Sequence, residues 1–346
     1  MATVHRSPLS SPRALVSGVL GLLGCATSQC PAAGTPEVVA YGGRQSYRLT
    51  DGRSEAIVVP SLGRVMRYGL VGGYNFLWNS KQTTFKSGEW KNWGGDKTWL
   101  APQGDWAAYL GHGFPPDPVH DGTPHLARVL ANGHLLMASQ NSRAFGARLI
   151  REFWFDPSGD FIIKQTVEKT AGTPMMASLW NVTQIPPDIE RVFVPLNADS
   201  PYSGGFYWFG GPNPTAEVAP LSPTLLRYRH TADASYKLGA DSPVCAIAAV
   251  KAGVAFVERA PRPPGDYPEG ASAAGFPVEV YNGGGAAGYT EMELLSPLRP
   301  LKPRDSFSQT LRWSLHELPA KDVAEEGVIA ALEAKLLQPW EEPAAP

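Results

Sequence analysis

The chain is short of cysteine and of charge: three Cys in 346 residues, with Asp, Glu, Lys and Arg together only 18%. Cysteines at 25, 30 and 245 cannot build a disulfide framework, and no CxxC pair offers a zinc site. Cys245 sits in the apolar run VCAIAAV and reads as a small buried hydrophobe. A formal net charge of −2 without any polybasic run gives no electrostatic reason to expect nucleic acid. There is no G-x-S-x-G elbow, P-loop or HExxH helix, so the commonest nucleophile, phosphate and metal signatures are missing, and neither a metal nor a cofactor is expected. Low charge is not low order, because 43% hydrophobic residues supply a large core.

Turn residues, by contrast, are plentiful: 36 Gly and 33 Pro. They punctuate short runs of period two such as EAIVVP (55–60), RVMRYGL (64–70), ARLIREFWF (147–155), FIIKQTVEKT (161–170) and VAFVERA (254–260). Asn132-Gly133 and DPSGD (156–160) supply the turns of two hairpins. Only the tail has helical spacing, with Asp322 and Glu325 placed as a capping box, Val328, Leu332 and Leu336 on one stripe, and Pro339 as the stop. The expectation is one all-β domain over 38–318, with a short C-terminal helix and tail over 319–346.

The first 25 residues differ in kind. Arg6 and Arg13 precede an apolar run, Ala14–Gly24, too short to span a bilayer, and Leu22-Leu23-Gly24-Cys25 follows at once. This reads as an export signal whose LLGC ending resembles a bacterial lipobox, so Cys25 becomes a lipid-carrying N-terminus. Cleavage later, near Ala33, is the plainer alternative. Residues 26–37 then form a tether, and the expectation is a monomer in the periplasm or cell envelope that meets the membrane through its lipid alone.

Three segments carry candidate chemistry. WKNWGGDKTWLAPQGDW (90–106) holds four of the ten tryptophans, interleaved with Asp96, Lys97, Gln103 and Asp105. Trp93, Trp99 and Trp106 offer stacking faces and the polar residues address hydroxyls, a mixture that suits a sugar ring better than a plain core or a plain loop. GHGFPPDPVHDGTPHLA (111–127) carries His112, His120 and His125, each able to act as an acid near neutrality, without metal-ligand spacing. In YTEMEL (289–294) the pleat sends Tyr289, Glu291 and Glu293 to one face. Their carboxylates stand roughly 7 Å apart, and repulsion of order 2 kcal/mol at an effective dielectric of about 20 can raise one pKa if the site is sheltered. The alternative is two solvated glutamates. Gly283, Gly285 and Gly288 fit G-x-G-x-x-G but precede a strand pattern, so they read as a hairpin loop rather than a dinucleotide site.

The runs VPSLGRVMRYGLVGGYNFLWN (59–79), GGDKTWLAPQ (94–103), PPDPVHDG (115–122), SLWNVTQ (178–184), YKLGAD (236–241) and YTEMELLSPLRPLKPRDSFSQTLRWSL (289–315) together resemble a bacterial lipoprotein branch of the galactose-mutarotase-like (aldose 1-epimerase-like) superfamily. That resemblance implies a β-supersandwich with a carbohydrate on one sheet face. It implies a late-strand glutamate as base, matched by Glu291 or Glu293, and a histidine acid on a central strand. The comparable stretch here, Ser178 to Gln184, has no histidine, so His112 or His120 substitutes or the site binds without turnover. Asn181, Gln184 and Lys237 join the expected substrate-binding set on the strength of the resemblance. Two classes stay open: a carbohydrate-binding protein, and an aldose mutarotase. The leader makes a separate prediction. Cys25→Ser shifts the protein from the membrane to the soluble fraction and ends incorporation of labelled palmitate; unchanged fractionation refutes the lipid anchor.

Overall fold

The computed structural model describes residues 34–343, apart from 83, 88, 211–212, 214–215, 269–274 and 319–324. The leader, Cys25 and Asp322 of the capping box lie outside the described residues. From Glu37 to Glu317 the regular structure is chiefly antiparallel strand, with only short helical turns between strands. Among the described residues these strands form two sheets.

The 11-stranded sheet runs, in spatial order, Glu37–Tyr41, Arg44–Thr50, Ser54–Val59, Arg64–Leu70, Asp96–Ala101, Met175–Ile185, Thr290–Leu295, Val278–Asn282, Tyr236–Ala240 and Phe206–Gly210, with Arg299–Leu301 pairing beside Met175–Ala177. The 10-stranded sheet runs Val218–Ser222, Leu225–Tyr228, Arg191–Pro195, Cys245–Lys251, Val254–Ala260, Ser306–Glu317, Phe161–Lys169, Ala147–Phe155, Leu135–Ala138 and Leu126–Val129. The two sheets face each other across the main core, the β-sandwich architecture expected of the sequence.

Local chemistry explains the turns. At the Asn132-Gly133 hairpin, Gly133 takes φ +83° and the Asn132 side chain accepts from the His134 N–H at 3.2 Å. At DPSGD, Asp156 Oδ1 accepts from the N–H groups of Ser158 (2.9 Å) and Asp160 (3.1 Å). The glycines at 283–288 link the antiparallel strands Val278–Asn282 and Thr290–Leu295, and Gly284–Ala287 makes one helical turn on the way. Antiparallel pairing rules out the parallel βαβ unit a dinucleotide site requires. The tail helix, Glu325–Leu336, buries Leu332 and Leu336 against Phe193, Ala248 and Val257 on the outer side of the smaller sheet.

Period two makes the core apolar. Tyr68, Phe161, Phe256 and Trp313 are fully buried between the sheets, with Tyr68, Phe256 and Trp313 mutually 5.0–5.1 Å apart at their ring centroids. Each such side chain contributes about 1.5–3 kcal/mol by leaving water. A polar seam interrupts this core. Asp96 pairs with Arg151 across the layers, Thr98 donates to Gln165 (2.6 Å), and Gln165 donates to Gln309 (2.8 Å).

Glu258 belongs to the same seam and is wholly buried, with neither carboxylate oxygen hydrogen-bonded. The Thr183 hydroxyl beside it donates instead to Asp96, at 2.9 Å. Burial, then the charge of Asp96, hold the Glu258 pKa well above the ordinary carboxylate range. A carboxyl whose folded pKa is raised keeps a proton that the unfolded chain releases above about pH 4.3. Stability therefore falls as pH rises from there towards the folded pKa. Glu258→Gln, which removes the ionisation and keeps the shape, raises Tm at pH 8 and changes it little at pH 4. Parallel Tm–pH curves for parent and variant would refute this.

Candidate functional site

The tryptophan segment forms a strand over Asp96–Ala101, which runs between Arg64–Leu70 and Met175–Ile185, and turns helical from Gln103. Gly94 and Gly95 lead into it with φ +89° and +69°. A Cβ on either would stand 2.2–2.3 Å from the carbonyl oxygens of Trp78 and Val65, so only glycine fits. Alternation then splits the segment. Lys97 and Trp99 face outward from the sandwich, while Asp96 and Thr98 face the interlayer seam.

The same alternation acts on the two neighbouring strands. Register sets Val182 beside Lys97 on one side and Glu293 on the other, and pairs Gln184 with Glu291, Glu293 with Glu279, and Tyr281 with Lys237. The outer face thus carries a row of charges in the order Lys97, Glu291, Glu293, Glu279, Lys237. Every acid has a partner. Lys97 Nζ lies 3.4 Å from Glu291, which also accepts from Gln184 Nε2 at 2.8 Å. Lys237 Nζ lies 2.6 Å from Glu279 and 3.0 Å from Glu293, and sits over the Trp180 ring at 4.4 Å. Trp180 Nε1 donates to Glu293 at 2.8 Å.

Burial governs the titration of this row. It raises the Glu291 pKa, with the Lys97 charge opposing and Glu293 adding. It drives Glu279 well above the carboxylate range against the pull of Lys237. Lys97 is lowered to about 8, again chiefly by burial, against the charge of Glu291. In Lys237 burial pulls down, but Glu279 and Glu293 overcome it and the pKa is raised. Desolvation rather than the mutual repulsion expected from spacing is thus the main cause at Glu291. Lys237, with 21% of its side chain exposed, is the most open of the five.

Over the neighbouring part of this face the indoles form a layer of their own. Trp99, Trp106 and Trp180 are buried, with centroids 5.2–6.1 Å apart. Asp121, from the histidine-bearing segment, is the hub: its Oδ1 accepts from Trp99 Nε1 (2.9 Å) and Arg64 Nη2 (2.9 Å), and its Oδ2 from Trp90 Nε1 (2.6 Å). Trp106 Nε1 donates to the Leu100 carbonyl at 2.7 Å. Trp99 and Trp106, expected as sugar platforms, are therefore packed against other indoles, with their N–H groups satisfied. The physical reason is that adjoining indoles bury one another more completely than a transient ligand can.

The remaining expected residues divide. Lys97, Gln184, Lys237, Glu291 and Glu293 meet on the outer face. Asp96 and Asn181 do not, since both point into the interlayer seam, where Thr183 donates to Asp96 and accepts from Asn181; the pocket proposed below omits them. Trp93 is half-buried, edge-on to Phe85 (4.6 Å) and capped by Arg44 (4.9 Å). Gln103 is half-buried in the turn before Trp106. His120 is buried, stacked on Phe145, with Nε2 3.0 Å from the Ala147 carbonyl, and burial lowers its pKa. His112 is exposed beside Trp90 and Asp121. Neither histidine contacts the acid row.

The opening lies next to the row. A cleft of about 800 Å³ is walled by Trp78, Phe85, Trp90 and Tyr289, with Gln82 and Glu89 exposed at its edge. Trp78 ties it to the charges: its backbone N–H donates to the backbone carbonyl of Gln184 (2.7 Å), and its ring packs on Tyr289 at 4.9 Å. Trp78 and Glu279 were not singled out from sequence. Both had a signal, Trp78 in the NFLWN run and Glu279 directly across the hairpin from Glu293.

No protein-family model matches the sequence, and no curated protein does. Solved structures do match. A galactose mutarotase-like protein from Lactobacillus casei ATCC 334 superposes with a TM-score of 0.52 at 10% identity, over 81% of this chain and 100% of that one. A second, from Clostridium acetobutylicum, gives 0.50 at 13% identity, over 82% and 98%. The fold is that of the galactose-mutarotase-like proteins. The same mutarotase-like fold occurs within a TPR-domain containing protein from Parabacteroides distasonis ATCC 8503 (0.52, 11% identity), where 80% of this chain spans 48% of that one. At such identities the likeness concerns architecture.

The hub makes a prediction of its own. Asp121→Ala leaves the wholly buried Arg64 guanidinium unpaired and frees two indole N–H groups. It destabilises the protein by about 3–5 kcal/mol, read by urea denaturation. A loss below about 1 kcal/mol, the scale of an exposed pair, would show that Asp121 does not anchor the segment.

Proposed function

We propose that the protein binds a carbohydrate in the cleft walled by Trp78, Phe85, Trp90 and Tyr289, on the outer face of the larger sheet. One observation carries this reading: an aromatic-walled opening of about 800 Å³ abuts, through Trp78 and Gln184, a row of charges on the sheet. Aromatic faces suit the C–H faces of sugars, and a few polar groups at the rim fix hydroxyls. The mutarotase-like fold is consistent with it. Binding without turnover is favoured over mutarotation by the state of the acids. Glu291 is held by Lys97 and Gln184, and the two candidate histidines are engaged or placed elsewhere, so a base and an acid do not face one another across an open site. The second reading is an aldose mutarotase with Glu291 as base. In either case the export signal supports a lipid-anchored protein of the cell envelope.

The test pairs calorimetry with polarimetry on the purified chain. Sugars found on a glycan array bind, and Trp78→Ala or Tyr289→Ala weakens binding at least tenfold. Glucose, galactose and mannose equilibrate between anomers at the uncatalysed rate in the presence of the protein. Acceleration that Glu291→Gln abolishes would replace the binding reading with the mutarotase reading, and absence of any glycan binding would refute the first.

A further inference from the structure

A second cavity, of about 290 Å³, adjoins the first, and Glu89 and Trp90 line both. Its other walls include Lys91, His112, Pro115 and Pro116. Trp90 is the shared partition, and its indole is fixed on three sides. Nε1 donates to Asp121, and the ring makes edge-to-face contacts with Trp99 and Phe114, at centroid distances of 6.2 and 4.8 Å. A ring already held in place gives a stacking surface without the ordering cost a mobile side chain would incur on binding. Phe114 itself is 51% exposed, an apolar surface beside the same ring. Lys91 and His112 are exposed donors at the rim, and the prolines make the wall stiff.

We infer that this face takes a carbohydrate chain rather than a single sugar, with one unit in the larger cleft and the next in the cavity beyond Trp90. The inference rests on the carbohydrate reading above and adds the ligand's length. Two adjoining subsites on one ligand act together, because the second unit binds at the high effective concentration set by the linkage to the first. The partition explains why the smaller cavity is stiff-walled and carries its own polar rim: it positions a unit whose neighbour is already seated.

The test is an array of gluco-, galacto- and manno-oligosaccharides graded from one to six units, read with the purified full chain. Within a bound series, two or three units bind at least tenfold more tightly than one. Lys91→Ala combined with His112→Ala, both confined to the smaller cavity's lining, removes most of that gain and leaves the single-unit affinity and Tm unchanged. Equal affinity for one unit and for longer chains overturns the inference while leaving the carbohydrate reading intact. A length gain that survives the double variant places the next unit elsewhere and also overturns it. Silence across the whole array removes the carbohydrate reading, and the inference with it.

Discussion

The buried carboxylate of Asp121 is the interaction on which the outer layer depends. It draws together Arg64 at the start of one strand, Trp90 in the following loop and Trp99 on the next strand. An arginine inside a protein is tolerable only when its charge is matched and its donors are used. Arg64 meets the condition through Asp121 and the Gly94 carbonyl. Matching it pins the segment around 115–122 across the indoles, which shelters the tryptophan layer and fixes Trp90 as a wall. The geometry of both cavities follows from that anchor.

The charge row beside it follows a related logic. Five ionisable side chains on one sheet face would be unstable as separate buried charges, so the acids are matched by a lysine at each end of the row: Lys97 holds Glu291, and Lys237 holds Glu279 and Glu293. Three acids against two lysines leave one negative charge in excess if all ionise, and the raised pKa of Glu279 relieves it. Such a row is polar without being free. Its groups are oriented by one another, which suits a surface that presents fixed dipoles to a ligand more than one that moves protons.

Much of the fold was legible because period-two alternation and turn chemistry are local properties. The hairpins at 132–133 and 156–160 and the terminal helix follow from residues a few positions apart. The shared face of Glu291 and Glu293 was legible for the same reason. What escaped was long-range. Reading 90–106 as one ligand-facing surface put Asp96 and Lys97 together, although neighbours on a strand must face opposite ways. Nothing local announces that Asp96 meets Arg151, that Trp99 meets Asp121, or that His120 turns to the Ala147 carbonyl. Asn181 was placed in the binding set on the strength of the family resemblance, and the pleat turns it inward.

The Asp96–Lys97 pair has one more consequence. A strand buried on both sides usually gives little warning of a slip by one residue, since either register fills both sides with apolar groups. Here a slip would carry an ammonium into the seam opposite Arg151 and strand a carboxylate among Glu291 and Glu293. Like would meet like twice over. The adjacent opposite charges therefore work as a key that only one alignment of the central strand can turn.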